Sequence, residues 1–199
     1  MTEPAPTRAG FPDEPPLPHG IGAVLTLANL VTLARLAAAP LLAADVQARF
    51  HASCGLLFVY AVATDLVDGR LARRRGEASR LGGLFDHATD AIFVATGLGA
   101  LAKLGLLTPL LPALVLLSFL QYVVDSRVHR GLPLRASSLG RVNGISYYVL
   151  LGTVLIRDAL ALGGPSDRAV AFLAWTLVAT TVVSMADRAV AWRRPSVAR

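Results

Sequence analysis

Four aspartates, Asp65, Asp68, Asp86 and Asp90, fall within 26 residues of one another. The stretch reads Asp65-Leu-Val-Asp68-Gly69-Arg-Leu-Ala72-Arg73, then eight residues, then Gly82-Gly-Leu-Phe-Asp86-His-Ala-Thr-Asp90, and it joins two long apolar runs. A carboxylate inside a membrane helix costs roughly 2.5–3.5 kcal/mol on insertion scales, so four together require compensation. An all-oxygen donor set suits a hard divalent cation, Mg²⁺ or Mn²⁺. Four carboxylates are enough to hold two ions, and paired ions can clamp a phosphoryl group and stabilise its attacking and leaving oxygens. Gly69, Ala72 and Gly82 remove side-chain bulk where a flat base or a diphosphate must come close. Arg73 offers a planar fork for phosphate oxygens.

Helical geometry would position these groups. Residues 65, 68, 69, 72 and 73 follow the spacing of one helix face, and 82, 86 and 90 that of another. A turn at Gly76 can fold the second helix back on the first, so that Asp65 and Asp68 face Asp86 and Asp90 across one cavity. The rest of the chain supplies the frame. It is 54% hydrophobic and only 16% charged, far from the composition of a water-soluble domain. Six segments are apolar enough to cross a bilayer: about 24–45, 52–71, 82–103, 106–126, 142–162 and 168–190. Each must be helical, because backbone groups in lipid must be satisfied within the segment. The expected fold class is an all-α integral membrane protein with six transmembrane helices and both termini cytoplasmic.

Arginine placement sets that orientation. The loop after the second span carries Arg70, Arg73, Arg74, Arg75 and Arg80, and the loop after the fourth carries Arg127, Arg130, Arg135 and Arg141. The C-terminal end adds Arg188, Arg193, Arg194 and Arg199, whereas the other side has only Arg49, Lys103, Arg157 and Arg168. The positive-inside rule puts the richer side, and the aspartates with it, at the cytoplasm. Residues 1–20 are proline-rich and lack the positive start of a signal peptide; they read as a disordered cytoplasmic tail. Residues 21–192 form the expected six-helix domain, and 193–199 a basic cytoplasmic tail. Cys54 stands alone, which rules out a disulfide framework. No basic run interleaved with aromatics reads as a nucleic-acid surface, although the net charge is +6.

The aspartate stretch resembles the CDP-alcohol phosphotransferase (CDP-alcohol phosphatidyltransferase) family of membrane enzymes. The family signature D-x2-D-G-x2-A-R-x8-G-x3-D-x3-D is met at Asp65, Asp68, Gly69, Ala72, Arg73, Gly82, Asp86 and Asp90. Asn29, Thr32, Arg35 and Pro40 also look like the N-x2-T-x2-R…P pattern of the family's first membrane helix. The resemblance implies that Asp65, Asp68, Asp86 and Asp90 hold two divalent ions, with Asp90 also the general base. It implies that Gly69, Ala72 and Gly82 line a cytidine pocket and that Arg73 touches the diphosphate. The implied reaction is attack of an acceptor hydroxyl on the lipid-side phosphorus of CDP-diacylglycerol or a similar CDP-lipid, with release of CMP. It also implies a homodimer in the bilayer, here a bacterial cytoplasmic membrane with the site facing the cytoplasm.

Arg135 and Arg141 flank Ser137-Ser-Leu-Gly140, where some family members carry a basic residue and S-x2-G-K to bind a phosphorylated acceptor. Arginines replace the lysines here. The expected acceptor is a phosphorylated polyol, glycerol 3-phosphate ahead of inositol phosphate, with serine, choline and ethanolamine as further family alternatives. Plainer readings stand beside these. The aspartates can be structural carboxylates paired with loop arginines, Arg73 a snorkelling side chain, and Arg135 and Arg141 topology signals. His87 is expected to pack rather than ligate, and Asp125 to pair with Arg127 or Arg130. Tyr147, Tyr148, Trp175 and Trp192 are expected as packing or interfacial residues. The rival class is a non-enzymatic membrane cation-binding or transport protein; such proteins often show internal repeats and broken helices, which this chain lacks.

Overall fold

The computed structural model describes the backbone of residues 27–75, 80–128 and 138–193, with side chains over 31–66, 83–125 and 138–190. Among these residues the fold is entirely helical: α1 (Leu27–Ala48), α2 (His51–Arg75), α3 (Arg80–Lys103), α4 (Leu110–Val128), α5 (Ser138–Ala159) and α6 (Asp167–Arg193). The helices fall on the six apolar segments, with shifted edges. The turn at Gly76, Arg135, residues 1–20 and residues 194–199 lie outside the described residues, and of Asn29, Asp68, Gly69, Ala72, Arg73 and Gly82 only the backbone is described.

Helix ends explain the shifted edges. α1, α3 and α5 each close with paired reverse-turn hydrogen bonds: Phe50 N to Asp45 O with Arg49 N to Val46 O, Leu106 N to Leu101 O with Gly105 N to Ala102 O, and Leu162 N to Arg157 O with Ala161 N to Asp158 O. The turning residue is left-handed in each, with φ of 58° at Arg49, 80° at Gly105 and 50° at Ala161. Thus α5 stops short of the expected 162. Thr108 caps α4 through its hydroxyl to Leu110 N, so α4 begins four residues later than expected. At the other end of α5 the helix starts at Ser138, which places Arg141 in its first turn rather than in a preceding loop.

α1 packs on α2 and α3, α5 packs on α2, α3 and α6, and α4 on α3 and α6. Close approach depends on small residues. A Cβ at Gly97 of α3 would lie 2.9 Å from Leu151 of α5 and 3.1 Å from Leu42 of α1. A Cβ at Gly152 of α5 would run into the ring of Phe58 on α2. Such contacts suit lipid, where helices associate by packing rather than by the hydrophobic effect. The core forms around Leu42, Phe93, Leu98, Leu101, Leu111 and Leu151, all buried. Large apolar residues such as Leu56, Leu120, Phe172 and Trp175 face outward. Among the described residues three helices are long and apolar enough to cross a membrane, over Val31–Ala48, Ser138–Ala159 and Asp167–Val190; His51–Leu66 and Leu110–Asp125 are shorter apolar stretches.

Gln47 Nε2 donates to Ala100 O at 2.8 Å, and Ser53 Oγ donates to Asp45. These contacts hold the end of α1 and the start of α2 beside the end of α3. The other end of the bundle gathers the later half of α2, the first half of α3 and the first half of α5.

Candidate active site

Arg35 organises this second end. It is fully buried, and its Nη1 donates to Oδ1 of Asp90 at 2.7 Å, of Asp86 at 3.1 Å and of Asp65 at 3.4 Å. Asp86 and Asp90 sit one turn apart on α3 and Asp65 comes from α2, so the side chains expected on two walls meet at one nitrogen. The carboxylates keep partial access to solvent, at 42% for Asp65, 33% for Asp86 and 20% for Asp90. Three carboxylates against one guanidinium leave an excess of negative charge, which a buried ion pair does not require. Among the described residues the cationic partner is Arg35, from the middle of α1; the side chains of the loop arginines expected as structural partners lie outside them.

Tyr148 of α5 donates its hydroxyl to the same Oδ1 of Asp90 at 2.8 Å. This tyrosine was expected to be a packing or interfacial residue. Its ring does pack, 6.4 Å from that of Phe58, but its hydroxyl belongs to the acidic cluster. His87 stands edge-on to Tyr122 at 5.9 Å, in line with the packing expected of it. One ligand atom from each of Asp86, His87 and Asp90 nonetheless lies within 4.8 Å of the others. The chemistry of the donors fits a hard divalent cation, because Asp86 and Asp90 bring carboxylate oxygens within 4.8 Å of each other. Among the described residues the group placed to hold it is Asp86, His87 and Asp90; Asp65 joins the cluster through Arg35.

A cavity of about 550 Å³ opens beside the cluster, lined by Asp65, His87, Asp90 and Tyr148 on one side and by Arg141 and Arg188 on another. Arg141 therefore shares a cavity with the aspartates. Arg188 of α6 was read only as a C-terminal topology charge. It reaches the cavity because position 140 is glycine: a Cβ there would lie 2.5 Å from Arg188 Nη2 and 3.1 Å from Ser184 Oγ. The Gly140-Arg141 pair was visible in the sequence, but nothing in it pointed to a partner 48 residues onward on another helix. A polar seam fixes α6 against α5. Thr180 Oγ1 donates to Asn143 Oδ1 at 3.0 Å, and the Tyr147 and Thr181 hydroxyls are 2.5 Å apart. Gln121 Nε2 donates to Met185 O at 3.0 Å, tying α4 to the same helix.

Sequence comparisons show what the chain is similar to. The sequence model of the family described as CDP-alcohol phosphatidyltransferase matches residues 25–185. A CDP-diacylglycerol--glycerol-3-phosphate 3-phosphatidyltransferase of Yersinia pestis (strain Pestoides F) is 42% identical over 50 residues, which is 25% of this chain and 28% of the relative. Relatives of the same name from Pectobacterium atrosepticum and Blochmanniella floridana are 42% identical over 50 residues and 47% identical over 45. The matched segment thus spans under a third of the length of these relatives.

Proposed function

The chain belongs to the CDP-alcohol phosphatidyltransferase family, and on that premise we propose that it transfers a phosphatidyl group from a CDP-linked lipid to an alcohol, releasing CMP. The observation that carries this reading is the joining of an excess of carboxylates to two cationic side chains, Arg141 and Arg188, across one cavity.

Asp90 accepts the proton of the acceptor hydroxyl. The acceptor oxygen forms a bond to the lipid-side phosphorus as the bond from that phosphorus to the oxygen of CMP breaks. CMP leaves as the anion. Mg²⁺ or Mn²⁺ held by Asp65, Asp68, Asp86 and Asp90 would supply charge neutralisation at the phosphoryl oxygens and the leaving group. Gly69, Ala72 and Gly82 admit the cytidine, and Arg73 contacts the diphosphate. Arg141, with Arg135 before it and Arg188 opposite, binds an acceptor phosphate; glycerol 3-phosphate is the acceptor named for the bacterial relatives.

The domain of residues 21–192 spans the bilayer six times, with the tails of 1–20 and 193–199 and the aspartate end in the cytoplasm. The arginine bias supports this orientation, and the outward-facing apolar side chains support the lipid contact. The membrane is the cytoplasmic membrane of a bacterium, and the assembly a homodimer. In a Cys54→Ala background, Gly76→Cys and Gly131→Cys should label from the cytoplasmic face; labelling from the opposite face inverts the topology.

The direct test of the reaction is exchange. Purified protein with Mg²⁺, a panel of CDP-lipids and labelled CMP should move label into the donor. Absence of both exchange and transfer over the whole panel, with folded protein, defeats the proposal.

A further inference from the structure

Oδ1 of Asp90 accepts two hydrogen bonds, from Arg35 Nη1 of α1 at 2.7 Å and from the Tyr148 hydroxyl of α5 at 2.8 Å. Each carboxylate oxygen has two lone pairs, so this oxygen is saturated, and only Oδ2 keeps lone pairs, one for a divalent ion and one for a proton. Among the described residues no hydrogen bond to Oδ2 is made. Arg35 also discriminates among the carboxylates. A single Nη carries two hydrogens, and the contact to Asp90 is shorter than those to Asp86 at 3.1 Å and Asp65 at 3.4 Å. Asp90 is therefore the most firmly held of the three.

The grip on the α5 side has its own support. Phe58 lies against Gly152, where any larger residue would meet its ring. Phe58 in turn flanks the ring of Tyr148, with the two planes inclined at 48°. Gly152 thus admits Phe58, Phe58 backs Tyr148, and Tyr148 reaches Asp90. Both Tyr148 and Asp90 line the cavity, so the arrangement stands where an incoming hydroxyl would arrive.

We propose that Arg35 and Tyr148 are positioning residues that together hold Oδ1 of Asp90, leaving Oδ2 as the oxygen that takes the acceptor's proton. This rests on the transfer reaction proposed above. It adds a division of labour within one carboxylate and a role for two residues outside the aspartate motif. A carboxylate held at one oxygen by donors from two helices cannot rotate, so its second oxygen keeps one direction. Fixed orientation of this kind lowers the entropy cost of reaching the reactive geometry.

Tyr148→Phe is the decisive variant, because it removes the hydroxyl and keeps the ring on Phe58. In the full-length protein kcat should fall by about 10- to 100-fold, the size expected for loss of one hydrogen bond to a charged group. Acceptor KM and CDP-lipid affinity should stay within about threefold, since the arginines assigned to the acceptor and to the diphosphate are untouched. Arg35→Lys keeps the charge but not the reach of the fork, and should lower kcat further. An unchanged kcat in Tyr148→Phe overturns the proposal, and so does an equal loss of kcat and donor affinity, which would mark a general disturbance. A second readout needs no turnover. With ¹³C-labelled aspartate, the infrared carboxylate band that disappears in Asp90→Asn should shift in Tyr148→Phe. A band that stays in place refutes the grip even if the wild-type protein proves inactive, whereas a shifted band with no wild-type transfer leaves the grip standing and removes the reaction assigned to it.

Discussion

Each end of the bundle is built around an arginine, and the two are employed differently. Arg157 at one end donates to Asp158 at 2.7 Å, to Asp167 at 2.7 Å and to Pro165 O at 2.9 Å, partners 1, 10 and 8 residues away in sequence. It stitches the α5–α6 connection to the end of its own helix. Arg35 at the other end has partners 30, 51 and 55 residues away, on two other helices. Arg157 meets two carboxylates, Asp158 and the exposed Asp167, and one neutral carbonyl, all within ten residues of its own position. Arg35 is outnumbered by carboxylates that remain open to a cavity of about 550 Å³. A structural network closes on itself. A working one leaves charge and space for a ligand.

The comparison predicts graded effects. Removal of divalent cations should have the largest: turnover should vanish in chelator and return with Mg²⁺ or Mn²⁺, because the donors at the Arg35 end are carboxylates. Full turnover in EDTA, after metal analysis confirms its removal, would end the metal reading. Asp90→Asn should come next. A general base typically contributes about 10²- to 10⁴-fold, so kcat should drop by that order while CDP-lipid binding stays within about tenfold. Near-normal turnover would exclude Asp90 as the base.

Arg141→Ala should act on the acceptor alone. With a phosphorylated acceptor, loss of a charge-assisted contact is worth about 10- to 150-fold in KM, and CDP-lipid affinity should change little. If acceptor KM is unchanged in both Arg141→Ala and Arg135→Ala, these arginines revert to topology signals. The smallest effect on function belongs to the other end. Arg157→Gln should leave kcat and both KM values within about twofold while costing roughly 1–3 kcal/mol of stability, seen as a lowered Tm. A large loss of activity in Arg157→Gln at unchanged Tm would erase the contrast between the two ends.

The sequence by itself determined the helices, the end of the bundle that carries the acidic motif and the family chemistry. These are local properties. Span length reads as an apolar run, a helix face as a spacing, and the motif as eight residues in fixed register. The helix edges escaped where capping overrode hydropathy, as at Thr108, Gly105 and Ala161. Only the tertiary structure decided which cation meets the aspartates, which oxygen of Asp90 is occupied, and which α6 arginine enters the cavity. Arg35 interrupts an apolar run, and Tyr148 and Arg188 look like ordinary boundary residues in the sequence. Their roles arise from side chains brought together across 30 to 58 residues of chain by close helix packing. No periodicity within a single helix encodes such a meeting, because it depends on how glycines such as Gly97, Gly140 and Gly152 let neighbouring helices and side chains approach.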